Sequence, residues 1–181
     1  RDLHYPLRRQ RQMCIRDSAI PHASALACGI AKALNGAGIE EIISATLYGA
    51  NLGKNFGFPV IGPSISRRIE LAVDLADGNH SLVKASEDVY EIIGAGVSIA
   101  ESVPAAIGLF YAAGGDPQPA ILTAANMGGD CDTIASMVGA LAGSYRGARA
   151  FPTAWVDKIE QVNQLGLKTL ADQLFQAAET W

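Results

Sequence analysis

The feature that most constrains this fold is a succession of short apolar segments with helical spacing, each ended by glycine or proline. Within each segment apolar residues recur every three or four positions, as on the buried face of an amphipathic helix. No segment after residue 18 alternates apolar and polar residues in the way a half-buried strand does. The sequence therefore predicts an all-α fold, a compact multi-helix bundle, with helices over 24–34, 39–48, 66–76, 86–93, 102–113, 118–126, 133–145, 152–161 and 168–178.

Three details of this prediction depend on glycine and proline. Pro104 lacks an N–H and is tolerated in a first turn, so we expect a helix to begin at Ser102. The stretch 49–64 is rich in glycine, asparagine and proline and is predicted to be a loop. The segment 133–145 carries small residues on all sides, which implies close neighbouring helices and places it at the centre of the bundle.

Length and charge narrow the classes of protein. A chain of 181 residues is typical of one domain and is long enough to bury a core. Its formal net charge of −4 gives no reason to expect a nucleic-acid partner. No uncharged apolar run reaches the ~20 residues that a membrane span needs. Three widely spaced cysteines favour a reducing, cytoplasmic setting over a disulfide framework.

The first residues differ in character from the rest. Five arginines crowd 1–17, which has neither the apolar core of a secretory signal nor the amphipathic repeat of a transit peptide. We interpret 1–17 as a non-native tail joined to a truncated gene, and 18–181 as the C-terminal part of a single domain. The natural protein is then expected to have more chain upstream.

The motif with the clearest chemistry lies just before the most apolar of the later helices. Asp130 and Asp132 stand two positions apart, Thr133 follows, and Gly128 and Gly129 precede them. Carboxylate and hydroxyl oxygens suit a hard cation such as Mg²⁺ or Mn²⁺. The glycines allow a tight turn or a close approach to a bound ligand. The pattern predicts a divalent-metal site where a loop meets a helix.

Simpler interpretations of the motif remain open. Asp132 or Thr133 could cap the helix, with Asp130 as a solvated loop residue. The positive end of the helix dipole also repels a cation, although two carboxylates exceed what capping needs. An EF-hand is excluded by Ile134 and Ala135. The nucleophile loop of a haloacid-dehalogenase phosphatase is excluded because 124–129 is not strand-like.

One histidine is a candidate site residue. His22 lies just ahead of the first predicted helix. On the residues alone, a buried and hydrogen-bonded role is the simpler interpretation of this side chain.

Residues 102–155 resemble the C-terminal half of the ADP-ribosylglycohydrolase family, also called the dinitrogenase reductase-activating glycohydrolase family. The resemblance is carried by Ser-Val-Pro-Ala-Ala at 102–106 and by Asn-Met-Gly-Gly-Asp-Cys-Asp-Thr-Ile-Ala at 126–135. It continues through Met-Val-Gly-Ala-Leu-Ala-Gly at 137–143 and Phe-Pro at 151–152, with Trp155 shortly after. The resemblance covers most of 19–164.

The resemblance implies a hydrolase that cleaves the glycosidic bond between ADP-ribose and an acceptor. The substrate would be an ADP-ribosylated protein or a small compound containing ADP-ribose. Two divalent cations, Mg²⁺ or Mn²⁺, are implied between helices, with the residues matching Asp130, Asp132 and Thr133 as ligands. The resemblance implies a position near the ribose for His22. We assign substrate binding to His22, Asn126, Gly128 and Gly129, and no catalytic residue to this chain.

Two departures from the family qualify that expectation. Cys131 stands where threonine is more usual, and we expect its side chain to point away from the metal. The family's remaining metal ligands and its water-activating acid belong to an N-terminal half that this sequence does not contain. We therefore expect the chain alone to bind Mn²⁺ weakly and to hydrolyse nothing measurable. A non-catalytic, crystallin-like relative and a hydrolase of another ribosyl N-glycoside stay open as alternatives.

Overall fold

The computed structural model describes residues 19–56, 62–78 and 81–180. Within these ranges the chain forms α-helices, one 3₁₀ turn and no strand, which confirms the all-α prediction. The predicted tail 1–17 and residues 57–61 of the predicted loop lie outside the described residues. The helices are α1 (Ala19–Leu34), α2 (Ile39–Gly53), α3 (Ile65–Asp77), α4 (Leu82–Ile92), α5 (Ile99–Ala112), α6 (Pro117–Asn126), α7 (Cys131–Arg146), α8 (Thr153–Asn163) and α9 (Leu167–Glu179), with the 3₁₀ turn at Ala148–Ala150.

Helix α5 forms the centre of the bundle. Every residue from 102 to 110 is buried, and the helix packs against α1, α3, α4, α6 and α7. Phe110 lies fully buried within it and meets Tyr145 of α7 edge to face, with ring centroids 6.0 Å apart. An all-round apolar surface of this kind is stable only when other helices cover every side.

The prediction that 133–145 is the central helix is wrong. Helix α7 buries one stripe, while Ser136 and Ala140 on its other side are exposed. Its small residues provide close contact with particular neighbours. A Cβ at Gly143 would lie 3.0 Å from the ring of Phe151, and one at Gly139 would lie 3.4 Å from Ile121. Small residues therefore indicate local contacts here, and continuous burial marks the centre.

Helices α1 and α2 approach each other through glycine. A Cβ at Gly49 would lie 2.3 Å from the carbonyl oxygen of Ser24, and one at Gly53 would lie 2.5 Å from Cα of Pro21. The prediction of a loop from residue 49 is wrong for this reason, since these glycines continue the helix and permit packing. The cost of glycine inside a helix is offset by the apolar contact that it allows.

Three helices begin at least three residues earlier than predicted. Helix α1 begins at Ala19, and α4 begins at Leu82, where the N–H of Lys84 points to the Ser81 hydroxyl. The predicted start of α5 at Ser102 is wrong. That helix begins at Ile99, so Pro104 lies inside it and removes the bond that its N–H would give to Ala100. The proline rule thus marked the region of the helix start but misplaced it.

The last two helices lie on the outside, as predicted. Neither α8 nor α9 contains a buried residue. Their connection uses left-handed conformations at Gln164 and Gly166, and Glu160 accepts hydrogen bonds from the N–H groups of Gly166 and Leu167. Among the described residues, no helix is both long enough and apolar enough to cross a membrane.

Candidate metal centre

The predicted metal motif, which consists of Asp130, Asp132 and Thr133, lies at the start of α7. Residues 127–130 connect α6 to α7, and Asp130 is the residue that precedes the first turn. The carboxylate of Asp130 makes no capping bond to a backbone N–H, and its Oδ1 accepts a hydrogen bond from the Thr133 hydroxyl at 2.9 Å. The alternative in which Asp132 or Thr133 caps the helix is wrong, because both residues lie inside the first turn of α7.

The motif brings two of its three oxygen donors together. Asp130 and Thr133 share the hydrogen bond described above, on the first turn of α7. Asp132 lies on the same turn and is exposed, with its carboxylate open to solvent. The segment leads into a helix, as the metal prediction requires. Neither carboxylate is used for capping, so their role as metal ligands stays a prediction.

A second loop fixes the backbone of this motif. The N–H of Asp130 donates to the carbonyl oxygen of Ala95 at 2.6 Å. A Cβ at residue 129 would lie 2.0 Å from that oxygen, so only glycine fits there. Gly128 and Gly129 both have positive φ, at +90° and +64°, which other residues rarely adopt. The paired glycines thus serve both a turn and a close backbone contact.

The loop that contains Ala95, residues 93–98, is held in turn by two charged side chains. Glu101 Oε2 accepts a hydrogen bond from the N–H of Gly96 at 2.9 Å. The guanidinium of Arg68, on α3, donates through Nη2 to the carbonyl oxygen of Ile93. Sequence reasoning missed both residues. Their only trace in the sequence was the Gly-Ala-Gly run at 94–96, which marks a tight loop but gives no hint of its partner.

A groove between α4 and α6 adjoins the metal motif. Its volume is about 480 Å³, and its walls include Glu87, Tyr90 and Glu91 from α4. Asn126, on the α6 side, is exposed, and its amide donates back to the carbonyl oxygen of Leu122 at 2.7 Å. A Cβ at Gly128 would lie 3.8 Å from the Tyr90 ring, so the groove reaches the turn that precedes Asp130.

His22 lies on a helix that packs against α7, the helix of the metal motif. It is fully buried in the first turns of α1, the helix that packs closely against α2. The structure thus groups Asn126, Gly128 and Gly129 with the metal motif. His22 is fully buried, and a contact between His22 and substrate stays a prediction.

The donor set suits a hard cation but is incomplete. In the part of the chain that the structure describes, no three His, Cys, Asp or Glu side chains come together as a metal-binding group. The motif offers two carboxylates and one hydroxyl, whereas Mg²⁺ and Ca²⁺ sites take six or more oxygens, often including water. Cys28 and Cys131 are free thiols, and Cys14 lies outside the described residues.

The fold and the loop together define an all-α protein with oxygen donors at a loop–helix junction. A model of the ADP-ribosylglycohydrolase family matches residues 8–181, and the chain belongs to that family. The match begins inside the segment 1–17 that we interpreted as foreign to the fold, so that boundary stays a prediction.

Curated relatives cover different shares of the chain. The Escherichia coli K12 protein YegU is 34% identical over 161 residues, which are 87% of this chain and 47% of YegU. Human ADP-ribosylhydrolase ARH3 is 39% identical over 41% of this chain and 23% of its own length. The ADP-ribosylarginine hydrolase Tri1 of Serratia proteamaculans is 44% identical over 33% of this chain and 16% of its own length. The chain therefore spans about half, or less, of the relatives that it matches.

Proposed function

We propose that this chain carries part of the metal centre of a hydrolase that cleaves the glycosidic bond between ADP-ribose and an acceptor. The family and the names of ARH3 and Tri1 support a glycohydrolase of ADP-ribosylated substrates. The observation that carries the metal assignment is the contact between the Thr133 hydroxyl and the Asp130 carboxylate on the first turn of α7.

In this proposal Asp130, Asp132 and Thr133 hold divalent cations, Mg²⁺ or Mn²⁺. Cations held there would help to orient the ribose hydroxyls and would make a bound water more acidic. The chain's own contribution is positional. The carbonyl of Ala95 fixes the backbone of Asp130, and the glycines at 128 and 129 leave room beside the ligands.

The groove between α4 and α6 is the part of this chain best placed to contact substrate beyond the ribose. It offers an exposed aromatic ring, Tyr90, and two carboxylates, Glu87 and Glu91. An aromatic face with nearby negative charge favours a planar or cationic group. We assign Asn126 to the same surface, because its side chain lies at the end of α6 nearest Gly128.

The described residues contribute too few oxygens to enclose two cations. We therefore propose that further ligands come from outside the part of the family fold that this chain matches. On its own the chain would bind Mn²⁺ weakly and release no measurable ADP-ribose.

Paramagnetic broadening of backbone amide signals by Mn²⁺ tests the metal assignment, because it detects weak binding. We expect substoichiometric Mn²⁺ to broaden the amides of Gly129, Asp130 and Thr133 first. Asp130→Asn should abolish that selectivity. Asp157→Asn, which removes an exposed carboxylate from α8, is the matched control and should preserve it. Uniform broadening near every carboxylate would contradict a metal site at this motif. Tight Mn²⁺ binding measured by calorimetry would contradict the proposal that this chain supplies only part of the ligands.

A further inference from the structure

The 93–98 loop is built around a carboxylate. Glu101, in the first turn of α5, directs Oε2 at the N–H of Gly96. A Cβ at Gly94 would lie 2.5 Å from the same oxygen, and one at Gly96 would lie 2.8 Å from it. The carboxylate therefore fills the space that the two glycines leave open, and the loop closes over it.

The positively charged side chain of Arg68 holds the other end of the loop. Arg68 reaches from α3 to the carbonyl oxygen of Ile93, the residue before Gly94. Its guanidinium is partly buried, and among the described residues Nε has no hydrogen-bond partner. A hydrogen bond from a charged group to a backbone carbonyl is stronger than a neutral one. Arg68 and Glu101 thus grip the loop on either side of Ala95.

Ala95 passes that constraint to the metal motif. Its carbonyl oxygen accepts the N–H of Asp130 at 2.6 Å and lies where a Cβ of residue 129 would be. Gly94 has φ of +92°, a conformation that glycine adopts without cost but also leaves readily. Without side chains to hold it, a loop with glycine at 94 and 96 would move the carbonyl on which Asp130 depends.

We propose that Glu101 and Arg68 are positioning residues for the metal motif. They act on Asp130 through the 93–98 loop and touch neither cation nor substrate. Metal ligands must be held within about 0.5 Å of their working geometry, which supporting contacts normally ensure. The metal part of this inference rests on the proposed function, whereas the backbone part does not.

Hydrogen exchange of the Asp130 amide, measured by NMR on the whole chain, tests the backbone part. We expect Glu101→Ala to raise that exchange rate about tenfold relative to the amide of Ile107 in α5, as the loss of one supporting hydrogen bond implies. Glu101→Gln keeps an oxygen that can accept from Gly96 and should restore most of the protection. Glu70→Ala, an exposed acid on α3, is the matched control and should change nothing.

Arg68→Met provides a second route to the same result if Glu101→Ala folds poorly. It should raise Asp130 exchange selectively, because it releases the other end of the loop. The inference is overturned if either variant leaves Asp130 protected, or if Asp130 and Ile107 exchange rise together as they do in a general loss of stability.

A Mn²⁺ titration of the same variants tests the functional part. Selective broadening of the Thr133 amide should disappear in Glu101→Ala and persist in Glu101→Gln. If the unmodified chain shows no selective broadening, the proposed metal centre fails, while Asp130 exchange still decides whether the loop is held as described. If exchange changes and broadening does not, the loop has no positioning role.

Discussion

Helix α5 and helix α9 are close in length but differ completely in their surroundings. All residues from 102 to 110 on α5 are buried, whereas α9 has no buried residue and leaves Leu170, Leu174 and Phe175 between 49% and 65% exposed. The apolar residues of α9 predicted a helix clearly, because the polar residues between them give the sequence a helical period. An amphipathic pattern thus predicts a helix well but does not reveal what, if anything, covers its apolar face.

Two phenylalanines, one on α5 and one on α9, should differ most when each is replaced by alanine. Phe110→Ala should cost about 3–5 kcal/mol of unfolding free energy, since it leaves a cavity in the core and removes the contact with Tyr145. Phe175→Ala on α9 should cost less than about 0.5 kcal/mol. Urea unfolding followed by circular dichroism measures both. Equal costs would show that α9 packs against the body of the protein.

Two glycines show the same contrast between packed and open surroundings in the backbone. Gly129 and Gly166 have nearly the same φ, at +64° and +63°, but only Gly129 has a neighbour within reach of a Cβ. Gly166→Ala should cost about 1 kcal/mol from conformation alone. Gly129→Ala should cost at least about 2 kcal/mol, because the clash with Ala95 adds to the same strain. Equal urea midpoints for the two variants would mean that the 93–98 loop does not contact residue 129.

A smaller effect is expected where a tyrosine links three helices of the body. The hydroxyl of Tyr111, on α5, lies 3.0 Å from Asp77 of α3 and 3.3 Å from Glu40 of α2. The hydrogen bond to Asp77 is the main cause that raises the pKa of Tyr111 from 10.0 to about 12, followed by burial and the nearby charge of Glu40. Tyr111→Phe should lower the unfolding free energy by about 1 kcal/mol.

The pH dependence of that difference has a defined sign. A folded-state pKa above the unfolded value stabilises the fold fully below pH 10, and the stabilisation is lost as pH rises towards 12. The gap between the native chain and Tyr111→Phe should therefore shrink across this range. Glu160→Ala, which affects only the connection between α8 and α9, should show no such trend. A constant gap from pH 8 to pH 11.5 would exclude the Asp77 contact as its source.

The smallest effect is expected from removing α9 altogether. A chain that ends after Gln164 should have a free energy of unfolding within about 0.5 kcal/mol of that of the full chain, because no residue of α9 is buried. The truncation also removes Trp181, one of the two tryptophans in the chain. Its unfolding is therefore better followed by circular dichroism than by fluorescence. A large drop in the melting temperature would show that α9 has a stabilising partner.

The helices themselves were predictable because their signal is local. Each predicted segment overlaps an observed helix, since apolar spacing and terminal glycines act within a few residues. The errors arose where one residue type serves two purposes. Gly49 and Gly53 indicated a loop but allow helix packing, and Pro104 indicated a first turn but lies inside α5.

The candidate site was predictable only in part, for a related reason. Asp130 and Thr133 are three residues apart, so one helical turn brings them together and the motif shows it. Ala95 and Asp130 meet across 35 positions, and no periodicity in the sequence marks such a contact. Arg68 and Glu101 are further removed, because they act on the loop that contains Ala95. Their charges look like any other on a helix surface.

The hydrogen bond between the Asp130 N–H and the Ala95 carbonyl also limits how sequences with this fold can diverge. A side chain gained at 129 can be accommodated only by shifting residue 95, and that shift needs matching changes at 94, 96 and 101. Substitutions at positions 94, 95, 96, 101 and 129 should therefore occur together in related sequences. Variants at 94 or 101 would then resemble variants at 129 in severity, because all three positions act on the contact between Ala95 and Asp130.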